Sequence, residues 1–280
     1  MSYAHGWLLP QWLTLDATYQ GRYELWRLAL TQSTVSLLPP EPVPFLNPKD
    51  AGFERTLKMI EACIKALGGY GRGGITEVSF LARWLLYGLG HPYQGTPPVQ
   101  PYSGSDITPK LAQTLDLELL MRCPSDYFGH ILAQGKYGQK HSRFYPTLPS
   151  VAEAMAAMGH QVGGRSGQRM RAFDPCLGTG RLSLAASNYC RAMVGWERDK
   201  RLLESAIANF MLYAPDLALP IPKLGGDLIW GDALEQRGTS LISGAPLDSR
   251  WAKVPEVPTL VKATVNSPQE GETRDQLTLF

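Results

Sequence analysis

The residues best placed to do chemistry form one run, Asp174-Pro175-Cys176-Leu177-Gly178-Thr179-Gly180-Arg181-Leu182, with Glu197 and Asp232 following it. Gly178 and Gly180 let a backbone turn come close to a ligand, and a helix starting beyond them offers free N–H groups. An acid about 20 residues after such a turn, at the end of the next strand, is where a carboxylate meets the ribose hydroxyls of a nucleoside cofactor. Glu197 holds that place, and Asp232 ends the strand after it in Gly231-Asp232-Ala233-Leu234. Glycine turns after strands are common on their own; the two acids at neighbouring strand ends give this one its weight.

Other reactive side chains point elsewhere. Cys63, Cys123, Cys176 and Cys190 include no CxxC pair, which excludes a zinc ribbon and a secreted disulfide framework and fits a reducing cytoplasm. Cys176, inside the turn, reads as a small apolar filler and not a nucleophile. His130, His141 and His160 lack metal-ligand spacing, so no metal site is expected. Lys136, Lys140, Arg143, Arg165, Arg169 and Arg171 face a single acid, Glu153, and are interleaved with Tyr137, Phe144 and Tyr145. That stretch is either a phosphate-tracking surface, with Lys136, Lys140, Arg143, Arg165 and Arg169 as its DNA contacts, or a solvated loop.

These residues need elements to hold them, and the chain of 280 residues is long enough to bury a proper core. A net charge of +2 with 44% hydrophobic residues excludes a histone-like basic protein and an acidic disordered chain. The N-terminus has no signal-peptide pattern and no stretch reaches 18 apolar residues, so neither export nor a membrane span is expected. Residues 1–135 read as an all-helical region, with helices at 22–31, 53–67, 75–90, 108–122 and 124–134, the last capped by Ser125. The segments 37–48 and 91–105 are Pro- and Gly-rich connectors. Over 136–251 strands and helices alternate: MRAFDP, a helix at 181–191, a strand at 192–197, a helix at 199–213, DLIWGD at 227–232 and SLISGAP at 240–246. Such alternation predicts parallel βαβ units in an α/β domain. Residues 252–280 read as a flexible C-terminal tail.

The run DPCLGTGRL resembles the glycine turn of class I S-adenosylmethionine-dependent methyltransferases, and among them the N6-adenine DNA methyltransferases that include type I modification subunits. Gly195-Trp196-Glu197-Arg198-Asp199 is similar to that family's GxExD, and Phe144-Tyr145-Pro146-Thr147 to its FYTP segment, with Pro146 inserted. The preceding SDYFGHILAQGKYGQKHSRFY is similar to the family's approach to that segment. The resemblance covers residues 108–247 and implies a Rossmann-like methyltransferase domain. It implies S-adenosylmethionine as cofactor, with Asp174, Pro175, Gly178 and Gly180 at the methionine moiety, Glu197 at the ribose, Asp232 at the adenine amino group and Thr147 at the cofactor tail.

The family's [N/D]PP[Y/F] motif, which accepts hydrogen bonds from a flipped adenine and stacks on it, has no counterpart. At its position stand Gly244, Ala245, Pro246 and Leu247, and neither NPP nor DPP occurs in the chain. Too little chain follows for the family's last three strands, so the domain is expected to be incomplete. Two functions follow as expectations. One is a phage- or plasmid-type pseudoenzyme that binds S-adenosylmethionine and DNA without methyl transfer. The other is an active DNA adenine methyltransferase completed by a partner chain. The last residues, Gln276-Leu277-Thr278-Leu279-Phe280, resemble the QLxLF peptide of sliding-clamp partners. Gln276, Leu277, Leu279 and Phe280 would then dock on the clamp, unless the tail packs on its own domain.

Overall fold

The computed structural model describes residues 3–31, 41–68, 74–102, 104–135, 144–162, 170–221, 224–241 and 243–246. Lys136, Lys140, Arg143, Arg165, Arg169, Leu247 and the terminal Gln276, Leu277, Leu279 and Phe280 lie outside them.

The described part of the first half holds seven α-helices: α1 (Leu9–Tyr19), α2 (Arg22–Thr31), α3 (Phe53–Ala66), α4 (Ile75–Gly88), α5 (Thr108–Thr114), α6 (Leu117–Arg122) and α7 (Tyr127–Gln134). Helix α3 buries Phe53, Leu57, Ile60 and Ile64 along one face, the stripe its apolar spacing predicts. It closes at Leu67, after which Gly68 takes a positive φ that costs glycine little. Helix α4 is buried nearly all round.

Several helices of this half depart from the sequence expectation. Helix α1 is unforeseen: Pro10 stands in its first turn, where a missing N–H does no harm. The helix expected over 108–122 is divided, because Leu115 is extended and Asp116 caps α6 by accepting from the Leu119 N–H at 2.9 Å. Asp126, not Ser125, caps α7, accepting from the Gly129 N–H at 2.8 Å. The Ser125 hydroxyl is engaged elsewhere, donating to the Leu46 carbonyl at 2.8 Å.

The second half holds α8 (Pro149–Val162), β1 (Met170–Asp174), α9 (Arg181–Ala186), β2 (Cys190–Glu197), α10 (Lys200–Tyr213), α11 (Pro215–Ala218), β3 (Asp227–Asp232) and β4 (Arg237–Ser240). Helix α9 is shorter than the expected 181–191. Ser187 donates its hydroxyl to the Leu184 carbonyl and Asn188 exchanges hydrogen bonds with the Val43 backbone, which draws both residues out of the helix.

The protein is thus mixed α/β, with a sheet of order β1-β2-β3-β4 among the described residues. Strands β1, β2 and β3 are parallel, with Asp174 opposite Gly195 and Glu197 opposite Trp230. Strand β4 is antiparallel to β3, so the strand expected at 240–246 is displaced. Its ladder occupies 237–240, and the chain then folds back so that the Ser240 N–H donates to the Ala245 carbonyl at 3.0 Å. A side chain on Gly231 would meet the backbone of Arg237 and Gly238, so this hairpin closes only with glycine there.

One core runs through both halves. Trp12, Phe80, Leu85, Phe210, Tyr213 and Leu228 belong to a single buried apolar cluster. Helix α4 lies against α10, and Ser79 of α4 donates to Glu204 of α10 at 2.8 Å. Helices α8, α9 and α10 follow one another, α8 on α9 and α9 on α10, while α9 touches β1 and α10 touches β2. Among the described residues no helix is long and apolar enough to cross a membrane.

Candidate functional site

A cleft of about 410 Å³ opens where β1, β2 and β3 end. The glycine turn forms its floor. Leu177 ties that turn to β2 by donating its N–H to the Trp196 carbonyl at 2.8 Å, and Gly180 donates to the Leu177 carbonyl at 2.8 Å. Gly178 has φ 57°, and a Cβ there would lie 2.9 Å from Phe144 Cε2, so the ring closes directly over the turn. Gly180 has φ 83° and faces the other way, where a Cβ would lie 2.7 Å from the buried ring of Phe210.

The structure brings together Thr147, Asp174, Pro175, Gly178, Glu197 and Asp232 on the cleft wall. Gly180 supports the turn from behind and is absent from that lining. Cys176 also lines the cleft and is exposed, so it is not the interior filler its type suggested; the turn carries its side chain outward.

Three carboxylates differ in setting. Asp174 is 8% exposed, accepting from the Ser183 hydroxyl at 2.8 Å and the Cys176 N–H at 3.2 Å. Burial pushes its pKa up against those hydrogen bonds. Glu197 accepts from the Gly178 N–H and the Asp199 N–H, each at 2.8 Å, and burial likewise raises its pKa. Asp232 sits at the rim, held below the ordinary carboxylate range first by the Glu235 N–H and also by the Leu234 N–H and Arg198. Arg198 Nη1 lies 3.3 Å from its Oδ2. All three are acceptors for hydroxyl and amino groups of a polar ligand, and Phe144, Leu202 and Leu234 supply apolar wall.

A network that the sequence reading did not single out backs this floor. Asp126, 4% exposed, accepts from the Thr179 hydroxyl at 2.7 Å, Asn209 Nδ2 at 2.9 Å and Arg181 Nε at 3.1 Å. Arg181 also donates from Nη1 to the Thr147 carbonyl at 2.8 Å. One buried carboxylate therefore joins α7, the glycine turn and α10, and through Arg181 it reaches the backbone of Thr147 on the cleft wall. The only sequence signal for it is the capping position of Asp126 before α7.

Gly244, Ala245 and Pro246 lie beyond β4, away from the cleft lining, with Pro246 bridged to Thr239. Gly244 has φ 68° and open space around it. His130 packs edge-on to Phe53 and lies 2.9 Å from Gln134 Nε2. Among the described residues no three His, Cys, Asp or Glu are grouped to hold a metal ion. Comparison of the chain with protein-family models, with curated proteins and with solved structures finds no match.

Proposed function

We propose that the cleft binds S-adenosylmethionine and that the chain is a Rossmann-like relative of the N6-adenine DNA methyltransferases, one that binds cofactor and DNA without methyl transfer as a single chain. The observation that carries this reading is the meeting of the Gly178 turn, Glu197 and Asp232 at the ends of three adjacent parallel strands. Ligands of open parallel sheets bind at that end of the strands.

On this reading Glu197 accepts from the ribose hydroxyls, Asp232 from the adenine amino group and Asp174 from the methionyl ammonium. The residues fit such a ligand: the turn lacks a Cβ where Phe144 closes over it, and the wall mixes acceptors with apolar side chains. Bound S-adenosylmethionine is a methyl donor, but Gly244 has no side-chain acceptor for an adenine amine. The basic stretch from Lys136 to Arg169 would follow a DNA backbone, and Gln276 to Phe280 would dock on a sliding clamp.

Calorimetric titration with S-adenosylmethionine tests the reading. Wild type should bind, and Glu197→Ala should weaken binding more than tenfold, since a charge-assisted hydrogen bond contributes about 1.5–3 kcal/mol. No heat at millimolar cofactor overturns cofactor binding. Labelled methyl groups appearing in DNA overturn the loss of transfer.

A further inference from the structure

We propose that Gly129 is a positioning residue of the cleft: because it has no side chain, α7 can seat Asp126 directly against Thr179, and that contact holds the glycine turn in the shape that receives a ligand. For ligand affinity this rests on the reading of the cleft as a cofactor site; for the shape of the turn it does not.

Glycine is an unusual choice at this position. Gly129 is buried in the first turn of α7, a helix of eight residues. Its backbone is right-handed, unlike that of Gly178 and Gly180, so no positive φ requires glycine there. Glycine is also the poorest helix former after proline, and alanine would suit the helix better. The reason for glycine therefore lies in its surroundings. A Cβ at 129 would fall well inside contact distance of Asp126 Oδ2 and Thr179 Oγ1, and 2.8 Å from Asp126 Cγ. All three atoms belong to the two side chains that join α7 to the turn.

A hydrogen bond fills that space instead. The Thr179 hydroxyl donates to Asp126 Oδ2 at 2.7 Å, beside Arg181 Nε at 3.1 Å. Asp126 Oδ1 accepts from the Gly129 N–H at 2.8 Å and from Asn209 Nδ2 at 2.9 Å. Two oxygens thus take four donors, so the carboxylate has one seat, and displacing it would leave buried donors unpaired. Asn209 Nδ2 also donates to the Thr179 carbonyl at 2.9 Å, so the hydroxyl and the carbonyl of Thr179 are both held from behind the cleft.

Thr179 sits between the two glycines of the turn, and what holds it holds them. The Gly178 N–H donates to Glu197 Oε2 at 2.8 Å, so a shift of Thr179 is passed to the carboxylate at the end of β2. On the other side Arg181, oriented by the same Asp126 oxygen, donates to the Thr147 carbonyl on the cleft wall at 2.8 Å. A methyl group at 129 has an easy way out, because the carboxylate and the hydroxyl are side-chain ends that can part while the helix keeps its course. The fold then survives while the turn loses its backing, which separates positioning from a merely structural role.

The test uses the full chain and three variants: Gly129→Ala, Thr179→Ala, which removes the same contact without touching α7, and the two combined. Without ligand, hydrogen exchange over residues 174–182 should be about tenfold faster in each single variant, with circular dichroism unchanged. The combined variant should exchange no faster than either single one, because both substitutions remove one contact and coupled changes do not add. In calorimetric titration with S-adenosylmethionine each single variant should bind about tenfold more weakly at unchanged stoichiometry. A merely structural role would lower the stoichiometry with the folded fraction and leave the affinity of the remainder alone. Turn amides that exchange at the wild-type rate in both single variants overturn the proposal, as do additive effects in the combined one. Faster exchange with wild-type affinity overturns it too, and a Gly129→Ala chain that does not fold shows the residue to be structural. If wild type itself gives no heat, the cofactor reading falls, and the exchange rates of the three variants alone decide whether Gly129 shapes the turn.

Discussion

Gly178 and Gly180 have positive φ within one turn, yet they should fail in opposite ways when each receives one methyl group. An L-residue in this region costs about 1–2 kcal/mol at either position. Neighbours decide the rest. At Gly180 the added Cβ meets Phe210 Cε1 and Cζ at 2.7 Å and Ala206 Cβ at 3.3 Å. Phe210 is 0% exposed and packed in the main core, so it has nowhere to retreat. Overpacking adds about 1–3 kcal/mol, bringing Gly180→Ala to ~2–5 kcal/mol. For a chain of this size each kcal/mol lowers the melting temperature by about 2–4 °C. At Gly178 the Cβ meets only the edge of Phe144, at 2.9 Å, a ring 9% exposed in the main core but with the open cleft on one side. Gly178→Ala should therefore lose less stability but close the cleft, weakening S-adenosylmethionine more than tenfold. Thermal melting and calorimetry on the two variants separate the effects. Equal melting temperatures, or unimpaired binding by Gly178→Ala, would refute the division of labour within the turn.

Three further outcomes are expected. Burial raises the pKa values of Asp174 and Glu197, so between the unfolded and folded values the folded state holds more protons, and their contribution to stability falls as pH rises through that window. Asp174→Asn should thus melt at or above wild type at pH 7, with a smaller gain near pH 4, while losing cofactor binding; a large fall in melting temperature at pH 7 contradicts this. DNA binding should weaken with salt, and Lys136→Ala, Lys140→Ala and Arg143→Ala together should flatten the slope of log K against log salt; an unchanged slope assigns the stretch to a solvated loop. Leu279→Ala with Phe280→Ala should abolish capture by an immobilised sliding clamp, and retention of capture sinks that contact.

Elements with a strong period were legible. The spacing of Leu57, Ile60 and Ile64 marks α3, and the apolar runs around Val194 and Ile229 mark β2 and β3. Turns decided by one side chain were not. Asp116 and Ser187 end helical runs through hydrogen bonds that compete with the helix, and nothing in the apolar pattern marks them. Strand β4, RGTS, has no apolar alternation and exists because Gly231 and Gly238 allow close approach in the hairpin. In the cleft, the glycines and acids were readable because they follow strand ends in a fixed order. Asp126 was not, since its partners Thr179 and Asn209 lie 53 and 83 residues away.

Asp126 also explains why the helical half, which has no chemical motif of its own, belongs to the site. A glycine turn is conformationally permissive, and fixing it in a binding geometry needs contacts from outside the turn. Leu177 supplies one towards β2, but the face behind Thr179 and Arg181 is reached from α7 and α10. Asp126 answers there with a charge-assisted acceptor for several donors, and its pairing with Arg181 at 3.1 Å is largely buried. Removing either partner of such a pair leaves an uncompensated buried charge. The pair is therefore poorly separable, and α7 is committed to the turn. Helix α10 is committed likewise, through Asn209 to Asp126 and through its packing on α4. The four-stranded sheet thus does not stand with the helices merely attached to it: the helices hold the turn from behind, and the strand ends present Glu197 and Asp232 to whatever the turn receives.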